Sequence, residues 1–298
     1  MISLKFDFDF FNNYYYIYER LIVLFFSIIP SLLLVFFVLY TDRNNSEPKR
    51  NIILCLLSGI LTTSLAGYLE QMVTSYFSNN IVLTYVWALI EEFSKISIFF
   101  LFIFDNKHYD DIYDGLVYMA LIALSFAGVE NILYAFSEST VASSISLALM
   151  RDLTTIPLHV ICGIIIGYYL SLGNFSKYKG KKFINFLLAF IISSLVHAAF
   201  NCLMSFLGSL NINYNNPFDT FLLQFMPLLI IMIVLFYIAI KYIKHILYLN
   251  SIYISDSKYD KKYSYLMNYG EYIKSDIRKK RIDLSEKTNI LKNIKKEK

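Results

Sequence analysis

Glu91-Glu92-Phe93-Ser94-Lys95 stands in the middle of a run that is otherwise lipid-soluble, Ile81–Phe104. Three ionisable groups at the centre of a membrane helix cost roughly 2.5–3.5 kcal/mol each on insertion scales, so such groups face a partner, a cavity or a reaction. Helical spacing puts Glu91 four residues and Glu92 three residues before Lys95, and either carboxylate can reach the ammonium on one face. Further along, Glu130 follows Phe126 by one turn, Arg151, Thr155 and His159 recur every four residues, and His197 and Asn201 are again four apart. Carboxylates and imidazoles of this kind move protons. They serve as general bases and acids when held in a low-dielectric cavity, or as the coupling groups of an ion pathway. No Ser, Cys or Thr is set beside a base in this group, so a covalent route is not expected.

Each residue also has a bland reading. Glu91, Glu92 and Lys95 can be an internally neutralised ion pair that pins one helix to another. A lone His on an apolar helix commonly bonds a backbone carbonyl or a hydroxyl, Arg151 can snorkel to the outer surface, and Asp152 beside it can face water. Asn131 and Asn201 can be interhelical glue. Depth argues for one site instead. At 1.5 Å per residue, Glu91 and His197 lie ~15 Å and Glu130 ~9 Å from the outer ends of their helices, and His159 ~18 Å if the fifth helix begins near Leu147. Four groups on four helices therefore share one layer.

The elements that must position these groups are membrane helices. The chain has 298 residues, 57% hydrophobic and 17% aromatic, with a mean hydropathy of +0.51, which excludes an ordinary soluble domain. Apolar runs near the ~20 residues that a bilayer requires recur at Leu21–Tyr40, Ile52–Leu69, Ile81–Phe104, Gly115–Phe136, Ala142–Leu172, Phe183–Leu207 and Thr220–Ile240. The expected fold is all-α, a polytopic bundle of about seven spans whose four central helices carry the polar site. The fifth run is long for one span. Pro30, Pro157 and Pro227 lie inside runs and are expected to kink their helices.

Lys and Arg placement sets an expected orientation. Loops 41–51 and 173–182 are basic, whereas loops 73–80, 137–141 and 208–219 contain no Lys or Arg. Loop 105–114 is the weak member, with one Lys against four Asp. This alternation places the N-terminus outside and the C-terminus in the cytoplasm. No cleavable signal peptide is expected, because a basic n-region and a small-residue cleavage site are missing before Leu21. Three parts follow: an aromatic-rich extracytoplasmic segment 1–20, a helical domain 21–240 with its core at 80–205, and a basic cytoplasmic tail 241–298. The tail holds 15 of the 27 Lys and Arg and either lies on the anionic inner leaflet or is simply solvated. Cys55, Cys162 and Cys202 fall in the spans without paired spacing and read as packing residues. No nucleic-acid partner is expected; the lipid bilayer is.

In this order, Glu91-Glu92-x-x-Lys95, Phe126-x-x-x-Glu130-Asn131, Arg151 with His159 eight residues on, and His197-x-x-x-Asn201 resemble the PrsW family of intramembrane proteases, within the superfamily of CAAX-prenyl endopeptidases and bacteriocin-immunity membrane proteins. The resemblance covers about residues 80–205. It implies proteolysis of a membrane-anchored protein. In bacterial members this is the first, extracytoplasmic cut in an anti-sigma factor during a stress response, at the cell membrane.

For amide hydrolysis the residues divide as follows. Glu91 or Glu92 activates the water while Lys95 compensates the charge of the other. His197 and Asn201, on one face, donate hydrogen bonds to the oxyanion. Glu130 and His159 orient the water or protonate the leaving group, with Asn131 and Arg151 in support. This glutamate mechanism without a cofactor is favoured. The rival uses a divalent metal such as zinc on Glu130, His159 and His197, although no HExxH occurs. Two other classes stay open: a proton- or ion-coupled transporter, and a non-catalytic immunity or scaffold protein.

Overall fold

The computed structural model describes residues 14–43, 46–77, 80–176, 178–209 and 226–257. The aromatic segment before residue 14, the start of the seventh run at Thr220 and the tail beyond residue 257 lie outside the described residues. Every described element is helical: α1 (Tyr14–Thr41), α2 (Lys49–Thr74), α3 (Asn80–Phe102), α4 (Asp114–Phe136), α5 (Val141–Leu153), α6 (Thr155–Asn174), α7 (Lys179–Ser209) and α8 (Met226–Ser257). Six spans, with α5 and α6 taken as one, are long and apolar enough to cross a membrane. The remaining expected span, α3, has 23 residues but carries Glu91, Glu92 and Lys95. The chain is a polytopic helical membrane protein.

Helix α4 is the hub, packed against α6, α2, α1 and α5, while α3 bridges α2 and α7, and α8 lies on α6. In the apolar windows, 72% of α4 and 83% of α5–α6 are buried, against 22% of α1 and 17% of α8. The hub pair is therefore shielded from lipid and the flanking helices face it. Small residues let the hub close. A methyl on Gly59 would sit 2.5 Å from the Ile122 carbonyl oxygen, and one on Gly163 would sit 2.9 Å from that of Met119. Backbones approach this closely only where side chains are absent, the usual device of helix packing in lipid.

The fifth run behaves differently from expectation. It is two helices broken at Thr154 (φ −124°, ψ −66°), and Pro157 is the third residue of α6 rather than the apex of a bend. The physical reason is that Pro157 has no N–H to give the Leu153 carbonyl and its ring crowds that group, so the helix ends there and restarts. In the first turn of α6 the missing N–H costs nothing. Pro30 stays inside a continuous α1; Pro227 lies at the edge of the described residues. Helix α8 runs past Ile240 to Ser257, with Ile246, Leu249 and Tyr253 buried. The first part of the basic tail is thus a packed helix.

Candidate active site

Helices α3, α4, α6 and α7 bring the ionisable groups together. Glu92, Lys95 and His159 have no exposed surface, and Glu91 and His197 are buried beside them. Lys95 Nζ donates to Glu92 Oε1 at 2.7 Å and stands 3.0 Å from His159 Nδ1. An ammonium only donates, so His159 Nδ1 accepts and the ring proton sits on Nε2. That nitrogen lies 2.9 Å from Glu130 Oε2, which also accepts from Arg151 Nη2 at 2.7 Å. On the other side, His197 Nδ1 is 2.7 Å from Glu92 Oε1. With its proton given to that carboxylate, the lone pair of a neutral His197 is on Nε2, 3.8 Å from Glu91 Oε2.

Aromatic rings fix the two imidazoles. The His159 and His197 rings meet edge to face at 4.9 Å, and Phe126 packs on His159 at 5.0 Å. Lys95 Nζ lies 4.4 Å from the Phe126 centroid, so the ring one turn before Glu130 serves both a cation and an imidazole. Arg151 stacks over Tyr134 at 4.0 Å. It does not snorkel; it is committed to Glu130 by charge and to Tyr134 by its plane.

Besides Arg151 Nε, two carboxylate oxygens of this cluster are unsatisfied. Glu91 Oε2 and Glu92 Oε2 are buried with no hydrogen-bond partner among the described residues. Glu91, Glu92, His159 and His197 each offer one donor atom, and all four atoms lie within 4.8 Å of one another. Two carboxylates and two imidazoles suit zinc or a similar divalent ion, and a cation is what two orphaned carboxylate oxygens would accept. The residues fit a metal once Lys95 turns wholly to Glu92 and leaves the His159 Nδ1 lone pair to the ion. The set differs from Glu130, His159 and His197, because Glu130 is spent on Arg151 and on the far nitrogen of His159, while both α3 glutamates turn inward.

The supporting residues divide. Asn131 is fully buried, but its amide donates to the Ser27 carbonyl at 3.1 Å and to Asp152 at 2.9 Å. It joins α4 to α1 and α5 and does not touch the four donors. Asn201 is half-buried one turn beyond His197 and makes no hydrogen bond to the cluster among the described residues. The three cysteines are free. One acidic residue escaped sequence reading: Glu70 of α2, whose charge acts on Glu91 and Glu130. The second run was ended at Leu69, one residue short, whereas α2 continues to Thr74; an acid inside an unbroken membrane helix was the available signal.

Residues 47–238 match the model of the PrsW family, described as intramembrane metalloproteases. The chain is 30% identical over 169 residues to the protease PrsW of Oceanobacillus iheyensis, covering 56% of this chain and 75% of that protein. It is 31% identical over 169 residues to the protease PrsW of Clostridioides difficile, covering 55% and 71%. With that of Bacillus subtilis the identity is 32% over 139 residues, covering 46% and 60%. No solved structure matches.

Proposed function

The chain belongs to the PrsW family of intramembrane metalloproteases, and on that premise we propose that it cuts a membrane-anchored protein at a centre built on Glu91, Glu92, His159 and His197. It is a peptidase, which sets aside the transporter and scaffold readings. The observation that carries the assignment is the buried set of four donor atoms within 4.8 Å, lying inside the matched span. These four residues would hold a divalent metal. When bound, such an ion polarises the scissile carbonyl and lowers the pKa of a bound water. The preference for a metal-free glutamate mechanism yields to the family description and to the donor set.

The protein's own groups then do the following. Glu91 makes no hydrogen bond among the described residues and its Oε2 is fully buried, so one of its oxygens would face the ion while the other accepts the proton of the attacking water. His197 Nδ1 is held on Glu92 at 2.7 Å, so Nε2, 3.8 Å from Glu91 Oε2, is the nitrogen with which His197 would hold the ion. Lys95 offsets the charge of Glu92, and Glu130 keeps the His159 proton on Nε2. Arg151 and Glu130 hold the other edge of the His159 ring, as a carboxylate commonly does for a ligating imidazole. Asn201 faces the substrate and donates to the developing oxyanion. Phe126 and Cys162, both buried, help to keep bulk water from Glu92, Lys95 and His159, which have no exposed surface.

The substrate we propose is an anti-sigma factor, cut on its extracytoplasmic side in a bacterial cell membrane. Supporting this are the loop charges, which place the N-terminus outside, and the position of Glu130 six residues from the outer end of α4. Impermeant thiol labelling of Asn79→Cys but not Ser257→Cys in intact cells is expected; the reverse pattern overturns the orientation. For the chemistry, purified protein in liposomes with a single-span substrate is assayed before and after chelation, alongside metal analysis. Cleavage lost on chelation and restored by a divalent ion is expected. Full activity in metal-free protein overturns the metal centre, and no cleavage of any membrane-anchored substrate overturns the reading as a whole.

A further inference from the structure

Glu70 lies on the inward face of α2. The buried stripe of that helix includes Gly59, Thr63 and Ala66, and Glu70 continues it one turn after Ala66. Thr63 Oγ1 donates to the Phe126 carbonyl at 3.5 Å, so the stripe faces α4, one turn short of Glu130. At its far end α2 is pinned to α3, where Trp87 Nε1 donates to Thr74 Oγ1 at 3.2 Å. One turn in from this pin stand Glu70 on α2 and Glu91 on α3. Glu70 is thus placed over the cluster from two directions, and its charge acts on both Glu91 and Glu130.

The chain supplies this carboxylate with no cation. Glu92 has Lys95 and Glu130 has Arg151, whereas the Glu70 carboxylate makes no ion pair among the described residues. It is not one of the four donors that could hold a metal. It differs from Glu91 in exposure as well, half-buried where Glu91 is buried. With α2 ending four residues later at Thr74, Glu70 borders the way into the cluster and Glu91 its interior. A carboxylate partly out of water and close to two further acids is stabilised by positive charge brought to it.

Resting on the reading of the chain as a peptidase for membrane-anchored proteins, we infer that Glu70 is a specificity residue: it receives a Lys or Arg side chain of the substrate close to the bond that is cut. An ammonium or guanidinium there gains a charge-assisted hydrogen bond. An acidic side chain at the same place meets Glu70, Glu91 and Glu130 together and is repelled, which sharpens the choice. Axes of packed helices such as α2 and α3 lie ~8–10 Å apart, and an extended chain advances ~3.3 Å per residue. A substrate strand lying at Glu91 therefore presents its basic residue to Glu70 from within about three residues of the scissile bond.

The test measures binding, so that it stands whether or not the chain cleaves. Full-length His197→Ala protein in nanodiscs is titrated with fluorescent single-span peptides. Each carries one Lys or one Gln at one of the first six residues outside its span, on the extracytoplasmic side of the proposed orientation. At one or two adjacent positions the Lys peptide is expected to bind at least tenfold more tightly than its Gln counterpart. Adding Glu70→Gln should abolish that difference and leave the affinity for the Gln peptides as it was, which a merely structural role of Glu70 would not do. Glu70→Ala repeats the measurement, so that the folding of one variant does not decide alone. Equal binding of Lys and Gln peptides at every position, a Lys preference that survives both substitutions, or no binding of any peptide overturns the inference. The same peptides are then offered to the wild-type chain: a Glu70-dependent preference without cleavage keeps the subsite and overturns the peptidase reading instead.

Discussion

Lys95 is bonded to Glu92, Nζ to Oε1 at 2.7 Å with neither side chain exposed, while Glu91 in the adjacent position lacks this partner. One residue of helical rotation separates the two carboxylates and gives them different work. Glu92 receives both the ammonium and His197 Nδ1 on one oxygen. Its charge is balanced, and its place is structural as much as chemical. Glu91 keeps a buried, unbonded oxygen, which suits the proton-accepting role proposed for it.

Removing Lys95 should therefore damage the fold before the chemistry. A Lys95→Met protein leaves Glu92 as an uncompensated buried charge, a loss of about 3–5 kcal/mol for breaking one side of such a pair. Thermal unfolding in detergent should show a marked fall in midpoint. Adding Glu92→Gln should recover most of the midpoint without recovering cleavage. Equal midpoints for Lys95→Met and the wild type would show that the pair carries no structural load.

Glu91→Gln is expected to separate the two roles. The amide keeps the volume and does not disturb Lys95, so accumulation and unfolding midpoint should match the wild type. Cleavage of a single-span substrate should fall by roughly 10²–10⁴-fold, the usual scale for a lost general base. A Glu91→Gln protein that cleaves at the wild-type rate would move the base to another residue.

Much of this arrangement was legible in the sequence, and the reasons for the remainder are specific. The spans were readable because apolar runs in lipid need no further signal, and the site because acids and imidazoles stand out within them. The choice between Glu91 and Glu92 as partner of Lys95 was not readable, since three and four residues both bring a carboxylate to the same helix face. Glu130 looked like a metal ligand until its partners were seen: Arg151 is 21 residues away in sequence and bonded to it in space. Glu70 was lost because the hydropathy of the second run fades one residue before it. The continuation of α8 was hidden by Lys241, Lys244 and Asn250, which dilute a buried stripe of Ile246, Leu249 and Tyr253.

Arg151 is placed as a positioning residue, acting through Glu130 on the His159 ring. Arg151→Met should lower activity and metal affinity together by about 10–100-fold, as loss of an outer-layer partner commonly does. Arg151→Lys keeps the charge but not the planar fork or the stack on Tyr134, and partial rescue is expected. Metal content at limiting ion concentration is the deciding readout. A merely structural role would lower the unfolding midpoint and leave metal affinity of the folded fraction unchanged.

The contact between α4 and α6 sets how closely the helix bearing Glu130 approaches the helix bearing His159, and two glycines test it in opposite directions. A methyl group on Gly167 would collide with the backbone of Gly115, its carbonyl oxygen first. Backbone cannot swing aside as a side chain can, so Gly167→Ala should cost about 1–3 kcal/mol of stability through overpacking. A relaxed interface would also separate Glu130 from His159, and residual cleavage should fall in the folded fraction. Gly67 of α2 is the matched control, with nothing within 4 Å of the added methyl. Alanine is the better helix former there by about 1 kcal/mol, so Gly67→Ala should be neutral or slightly stabilising and fully active. Unfolding midpoints and single-turnover cleavage of both proteins, measured side by side, check this. A Gly167→Ala protein as stable and active as Gly67→Ala would mean that α4 and α6 do not pack as closely as their backbones are placed.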